Sequence, residues 1–228
     1  QYKSFFGPEH DLEWFKKNGV LTRPKKVDET YWRPFIKARV PIYFESFKKL
    51  GQEVEKAKRE YGLTDFDTSD FVPLPDWKPC PGFETKNNDY DLLAIYYRVP
   101  VHTLSATYNI PWLDEVSSID PYIYRLAINS STANKKGIRD DDWVELESLP
   151  TGNKIRARAR LTEGIHPEVV ALANCGGHWS KYMPIASQPG KGACFEWLLP
   201  LSFDHLDTLT YNMDLCVRVK ASKVEARM

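Results

Sequence analysis

The feature that most constrains this chain is a cadence of short apolar runs beginning near Asp89. Six of them stand between turn-forming residues: "DLLAIYYRV" (91–99), "YRLAIN" (124–129), "WVELES" (143–148), "KIRARARL" (154–161), "EVVALA" (168–173) and "LCVRVK" (215–220). Each is short, apolar or alternating, and bounded by Gly, Pro, Asn, Asp or Ser, which is how strands of a β domain read. "KIRARARL" alternates fully, with Ile155, Ala157, Ala159 and Leu161 on one face and Lys154, Arg156, Arg158 and Arg160 on the other. A phosphate track would look like this, but so would the wet face of a half-buried strand. The acidic side chains of "WVELES" favour the second reading. "SSTANKKGI" predicts a short helix with Ser130 or Ser131 as N-cap and Gly137 as its stop. The pattern predicts a mainly β domain over 89–228, a barrel or a sandwich.

Residues 1–88 read differently, as a helical extension with a proline-rich linker. Pro8, Glu9 and Asp11 open a short helix with Leu12 and Phe15 inward and Gly19 as its stop. A longer helix is predicted from about Pro41 to Tyr61, its apolar stripe formed by Tyr43, Phe47, Leu50, Val54, Ala57 and Tyr61, with Gly62 ending it. Pro73, Pro75, Pro79 and Pro81 then impose a loop. Two helices are too little to bury a core of their own, so 1–88 is expected to be an extension belonging with an upstream domain. The chain opens on Gln1 rather than Met, and we expect a piece of a longer polypeptide.

Charge and motif content exclude several functions. The 31 basic and 31 acidic side chains cancel, which argues against a general polyanion binder and hence against nucleic acid. No apolar run reaches the ~18 residues of a membrane span, and no signal-peptide pattern is present. Cys80, Cys175, Cys194 and Cys216 form no C-x-x-C pair, so they read as buried free thiols rather than zinc or iron–sulfur ligands, and they fix no compartment. His102, His178 and His205 lack metal-ligand spacing. Ser105 lacks the G-x-S-x-G context of a hydrolase nucleophile. Neither a P-loop nor a G-x-G-x-x-G occurs.

What remains is polar chemistry where strands end. "HTLSATYN" leaves the first strand with His102, Thr103, Ser105, Thr107 and Asn109 and reaches a stop at Pro111-Trp112. A turn needs fewer hydrogen-bonding side chains than that. "ANCGGHW" leaves the fifth strand, its paired glycines able either to admit a ligand to bare N–H groups or to make a tight turn beside a buried Trp179. A third cluster, Asp204, His205, Asp207 and Asn212, precedes the last strand. Loops that follow buried strands tend to meet, so the first two are expected to share a polar cleft.

The combination "YRVPVHTLSATYNIPWLDEV", "DPYIYRLAINSSTANKKGIRDDDWVELES" and "IRARARLTEGIHPEVVALANCGGHW" resembles, in order and spacing, the C-terminal domain of molybdopterin oxidoreductases of the dimethyl-sulfoxide-reductase type. The likeness covers about Asp89 to Val219, with weaker likeness in "GPEHDLEWFKKNGVL" and "YWRPFIKARVPIYFE". The tail "GGHWSKYMP" to "FEWLLPLSFDHLD" is most similar to the branch holding phenylacetyl-CoA:acceptor oxidoreductase and the thiosulfate, tetrathionate and arsenate reductases.

This resemblance implies a six-stranded double-psi β-barrel that closes over molybdopterin guanine dinucleotide carrying molybdenum or tungsten. By motif position it implies pterin contact from His102, Thr103, Ser105 and Asn109, then from Asn174, Gly176, Gly177 and His178, and from Asn212. Asn129 matches the motif's Asn, and equally suits the cap of the helix that follows it. Trp112 would anchor its loop by burial, and with Trp179 would exclude water at the rim. The metal's protein ligand and the iron–sulfur cysteines of such enzymes lie upstream, so the implied role is closing a cofactor site for oxygen-atom transfer or hydroxylation. The partners implied are the upstream domains of the same subunit and an iron–sulfur electron-transfer subunit; no catalytic residue or metal ligand is assigned here. The competing class is a stand-alone double-psi barrel, used as a binding subunit or an interaction module.

Overall fold

All six apolar runs are strands, and they close on themselves. The structure is a computed structural model that describes residues 6–22, 26, 43–64 and 66–225. Strands β1 (Leu92–Tyr97), β2 (Arg125–Asn129), β3 (Trp143–Ser148), β4 (Lys154–Thr162), β5 (Val169–Ala173) and β6 (Cys216–Lys223) form a closed barrel in the ring order β1-β5-β2-β4-β3-β6. Two contacts are parallel, β1 with β5 and β2 with β4, and the other four are antiparallel. Advancing every strand by three (β1 to β4, β2 to β5, β3 to β6) returns the same ring with the same strand directions. This internal two-fold of interlocked halves is the double-psi β-barrel expected. Leu92 pairs with Val219, so the two ends of the barrel lie side by side.

The interior is filled by alternating large and small side chains. In β4, Ile155, Ala157 and Ala159 point inward while the basic residues point out. Each of those is paired: Lys154 with Glu145 at 3.0 Å, Arg156 with Glu145 at 2.7 Å, Arg158 with Asp141 at 2.6 Å and Arg160 with Asp140 at 3.1 Å. The half-buried-strand reading holds over the phosphate track. One end of the barrel is plugged by residues 193–199, whose Phe195 and Leu198 are fully buried. The Ser148 hydroxyl donates to the Leu198 carbonyl at 2.7 Å and fixes the plug to β3.

The chain divides into two compact units, residues 1–44 and 45–228. In the first, helix α1 (Leu12–Asn18) starts after Asp11, whose carboxylate accepts from the Trp14 N–H, and ends at Gly19 with φ of 75°. Pro8 and Glu9 stand in the turn before it rather than opening it, and Leu12, expected inward, is exposed. All of "YWRPFIKARVPI" (31–42), with the expected helix start at Pro41, lies outside the described residues; the longer helix, α2, spans Ser46–Tyr61. No residue of α2 is buried, and Leu50 and Tyr61 of the expected inward stripe are exposed.

Residues 66–91 are laced to the barrel rather than hanging free. The Asp70 carboxylate accepts from the Thr208 N–H and hydroxyl, both at 3.3 Å. Helix α3 (Pro81–Glu84) sits on β6 so closely that a Cβ on Gly82 would lie 2.7 Å from the Cys216 carbonyl oxygen. Arg218 Nε donates to the Thr85 carbonyl at 2.8 Å, and the Tyr90 hydroxyl to Glu147 at 2.7 Å. Two further helices complete the unit: α4 (Pro111–Ile119), where a stop was expected, and α5 (Ser130–Lys135). Pro111 stands at the first turn of α4, where its missing N–H costs nothing. All four cysteines are free and half-buried, not fully buried.

Candidate functional site

The loops that leave β1 and β5 meet. Parallel pairing sends both strands out of the same end of the barrel, Tyr97 beside Ala173. A second apolar cluster then holds the loops together: Val99, Tyr108, Ile123, Tyr124, Ala173 and Ala186. At its centre the buried Tyr108 donates its hydroxyl to the Asn174 carbonyl at 2.8 Å and lies 5.9 Å, ring to ring, from His178. Burial pushes the Tyr108 phenol well above its ordinary pKa, so it remains a donor. Both loops contain a non-glycine residue in the left-handed region, Leu104 at φ 48° and Cys175 at φ 60°. Each such residue costs about 1–3 kcal/mol unless its surroundings hold it.

His102 is held inside its own loop. It stacks on Tyr108 with ring centroids 3.9 Å apart and planes 15° from parallel. Its Nε2 lies 2.7 Å from Ser117 Oγ, and Ser117 gives its own proton to the Leu113 carbonyl at 2.6 Å. Ser117 must therefore accept, so His102 carries its proton on Nε2 and its Nδ1 accepts from the Thr107 hydroxyl at 3.1 Å. Burial lowers the His102 pKa, with Asp114 pulling weakly the other way. The ring is neutral and both nitrogens are engaged within the chain.

Five of the remaining expected residues lie apart from the paired glycines. Asn109 and Asn129 serve the backbone: Asn109 Oδ1 accepts from the Ile185 N–H at 2.9 Å, and Asn129 Oδ1 accepts from the Ser131 N–H at 2.9 Å while Nδ2 donates to the Ile165 carbonyl at 2.8 Å. Asn129, rather than Ser130 or Ser131, is thus the N-cap of α5. Thr103 and Ser105 are exposed at the loop surface. Asn212 sits in the turn 207–212, where its carbonyl accepts from the Asp207 N–H at 2.9 Å.

The paired glycines make room for the chain itself. The Gly177 N–H donates to the Lys191 carbonyl at 3.0 Å, and a Cβ on Gly177 would lie 2.5 Å from the Cys194 nitrogen. This close approach seats 191–194 against 176–177 and opens a cavity of about 610 Å³ beside them, lined by Trp143, Arg156, His178, Trp179, Gly190 and Trp197 among others. His178 is one of its lining residues, and its Nε2 is buried away from the open space without a hydrogen-bond partner. Trp112 and Trp179 are not buried anchors; they are 78% and 79% exposed. For Trp112 the reason is helix α4, which turns it outward while Ser117 turns in.

Sequence reading missed Tyr108, Ser117, Asp114 and Lys191. Asp114 Oδ1 accepts from the Tyr124 hydroxyl at 2.8 Å and from Lys191 Nζ at 2.5 Å, tying α4 to the 187–194 segment. Tyr108 was within reach, as the one large ring inside "HTLSATYN". The other three depend on a helix that the proline concealed. Among the described residues no group of three or more His, Cys, Asp or Glu is placed to hold a metal ion. No helix among them is long and apolar enough to cross a membrane.

Residues 92–193 match the family model of the molydopterin dinucleotide binding domain. Over those residues the barrel is similar to that family. A curated relative, the arsenate respiratory reductase molybdopterin-containing subunit ArrA of Chrysiogenes arsenatis, is 25% identical over 214 residues, covering 86% of this chain and 25% of the relative. Acetylene hydratase from Pelobacter acetylenicus superposes with a TM-score of 0.53 at 15% identity, over 85% of this chain and 28% of that one, which shows a shared fold. The chain thus spans about a quarter of the length of these proteins.

Proposed function

We propose that this chain is the C-terminal, cofactor-binding portion of a molybdenum or tungsten oxidoreductase subunit carrying bis(molybdopterin guanine dinucleotide). The observation that carries the reading is the cavity of about 610 Å³ flanked by Trp143, Trp179 and Trp197 and edged by His178 and Arg156. A planar heteroaromatic ring stacks on indole, and a cavity of this size and lining admits one. The residues present therefore fit the group.

His178 would contact the dinucleotide directly, with the exposed Thr103 and Ser105 hydroxyls and the Asn174 strand exit adding polar contacts. His102, Asn109, Gly176 and Gly177 would shape the two loops. Trp179, at the exposed side of the cavity, would shield it from water. When bound, the cofactor supplies two-electron redox chemistry at its metal, by oxygen-atom transfer or hydroxylation. The metal's protein ligand and iron–sulfur cysteines would come from upstream in the same subunit, with an iron–sulfur subunit as electron partner. Residues 1–88 would belong with that upstream part, their last third seated on the barrel.

The test is His178→Ala in the complete subunit, scored by guanine nucleotide and oxidised pterin released per mole of protein. We expect about tenfold weaker retention, the equivalent of ~1.4 kcal/mol, with little change in thermal midpoint. Unchanged dinucleotide content, or a wild-type subunit that releases none, overturns the reading and leaves a stand-alone barrel.

A further inference from the structure

Helix α4 is amphipathic the wrong way round. Its inner side is polar: Ser117 is fully buried and bonded to His102, and Asp114 is bonded to Tyr124 and Lys191. Its outer side carries Trp112, Val116 and Ile119, which are 78%, 48% and 84% exposed. Those three fall at spacings of four and three residues, one face of a helix. A helix that only packs on its own barrel turns its apolar stripe inward. Here the apolar stripe has no partner among the described residues. It is flanked by Leu104 and Ile110 on the same loop, which are also exposed.

We infer that this face of α4 is an intramolecular docking surface, covered by the rest of the same subunit. Three points select that occupant. The relatives extend about four times as far as the matched segment, so a large body of chain is available. A contiguous Trp–Val–Ile stripe suits a permanent interface, because apolar cores mark obligate rather than transient contacts. The same helix also grips His102 from inside, so whatever covers the stripe bears on the loop leaving β1. The inference rests on the proposed function only for the existence of the larger subunit. Docking on α4 would set the position of Ser117, and through it the His102 ring, so the cofactor loop would reach its final geometry only when the subunit is whole.

The experiment places a photo-crosslinking phenylalanine analogue at position 112 or 119 of the complete subunit, and maps the products by mass spectrometry. Both sites are exposed in this chain, so neither substitution disturbs its core. Crosslinks from both positions to residues outside the 1–228 segment of the same polypeptide support the inference. Crosslinks to residues 1–44, to a second copy, or to a different polypeptide overturn it, as does the absence of any product from both positions. A second measurement compares Trp112→Gln/Ile119→Gln in this chain and in the complete subunit. The thermal midpoint should be unchanged or raised in the first and lowered by several degrees in the second; equal effects in both overturn the inference. Dinucleotide content is measured on the same samples. Crosslinks without dinucleotide refute the cofactor reading alone, and dinucleotide without crosslinks refutes the docking surface alone.

Discussion

The hydroxyl of Tyr108 and the carbonyl of Asn174, 66 residues apart in sequence, form one buried hydrogen bond of 2.8 Å that joins the two loops of the site. Tyr108→Phe keeps the ring stacked on His102 but leaves that carbonyl without its donor. We expect a loss of about 1–3 kcal/mol, read as a lower urea midpoint with an unchanged slope. Hydrogen exchange should speed up in 174–179 and not in β3. Equal exchange throughout would show that the bond does not hold the loops together.

The neutral His102 makes folding sensitive to mild acid. Burial lowers its pKa below the ordinary 6.5, so the unfolded chain takes up the proton first as pH falls. Stability from this residue is complete above about pH 6.5 and declines as pH drops toward the folded value. Thermal midpoints between about pH 5 and about pH 8 should show that slope in the wild type and a shallower one in His102→Gln. Nitrogen chemical shifts should report the proton on Nε2; a proton on Nδ1 would refute the assigned network.

The two adjacent glycines should respond unequally to alanine. Gly177 has φ of 70° and no space for a Cβ against Cys194, so Gly177→Ala should cost at least the ~1–3 kcal/mol of left-handed strain. At Gly176 an added Cβ would meet Gly192 Cα at 3.4 Å, an ordinary contact, and Gly176→Ala should change stability by under about 1 kcal/mol. Chemical denaturation of the two variants decides this, and equal losses would mean that the segment 191–194 yields.

Asn129 performs two tasks that substitutions can separate. Asn129→Asp keeps the cap on α5 and loses the donor to Ile165, whereas Asn129→Ala loses both. The alanine variant should be less stable by a further ~1 kcal/mol, the usual worth of a cap. If the two variants unfold together, the cap contributes nothing measurable here.

The strands were legible because a period of two survives in any half-buried sheet, and each observed boundary falls within a few residues of its apolar run. The ring order was not: connections of very different length (98–124 against 163–168) hide the internal two-fold from any sequence repeat. Helix α4 escaped because Pro111 was taken as an end instead of a beginning, and because its stripe faces outward. At the site, polarity showed where the loops are but not what each side chain serves. Asn109 and Asn129 look like ligand contacts in the sequence, yet backbone N–H groups, Ile185's from a distant segment and Ser131's from the next turn, claim their oxygens first. Gly177 likewise marks a close approach, and only coordinates show that the approaching group is the chain's own 191–194 segment.

The ring order also dictates a schedule. Strand β6 lies between β1 and β3 and is made last of the six, so the barrel cannot shut until synthesis has passed Lys223. Until then β1 and β3 each present a bare edge, open to mispairing with other chains. Tyr108 and Asn174 precede that point and can already meet. The residues that join the two loops are therefore made before the strand that shuts the barrel behind them.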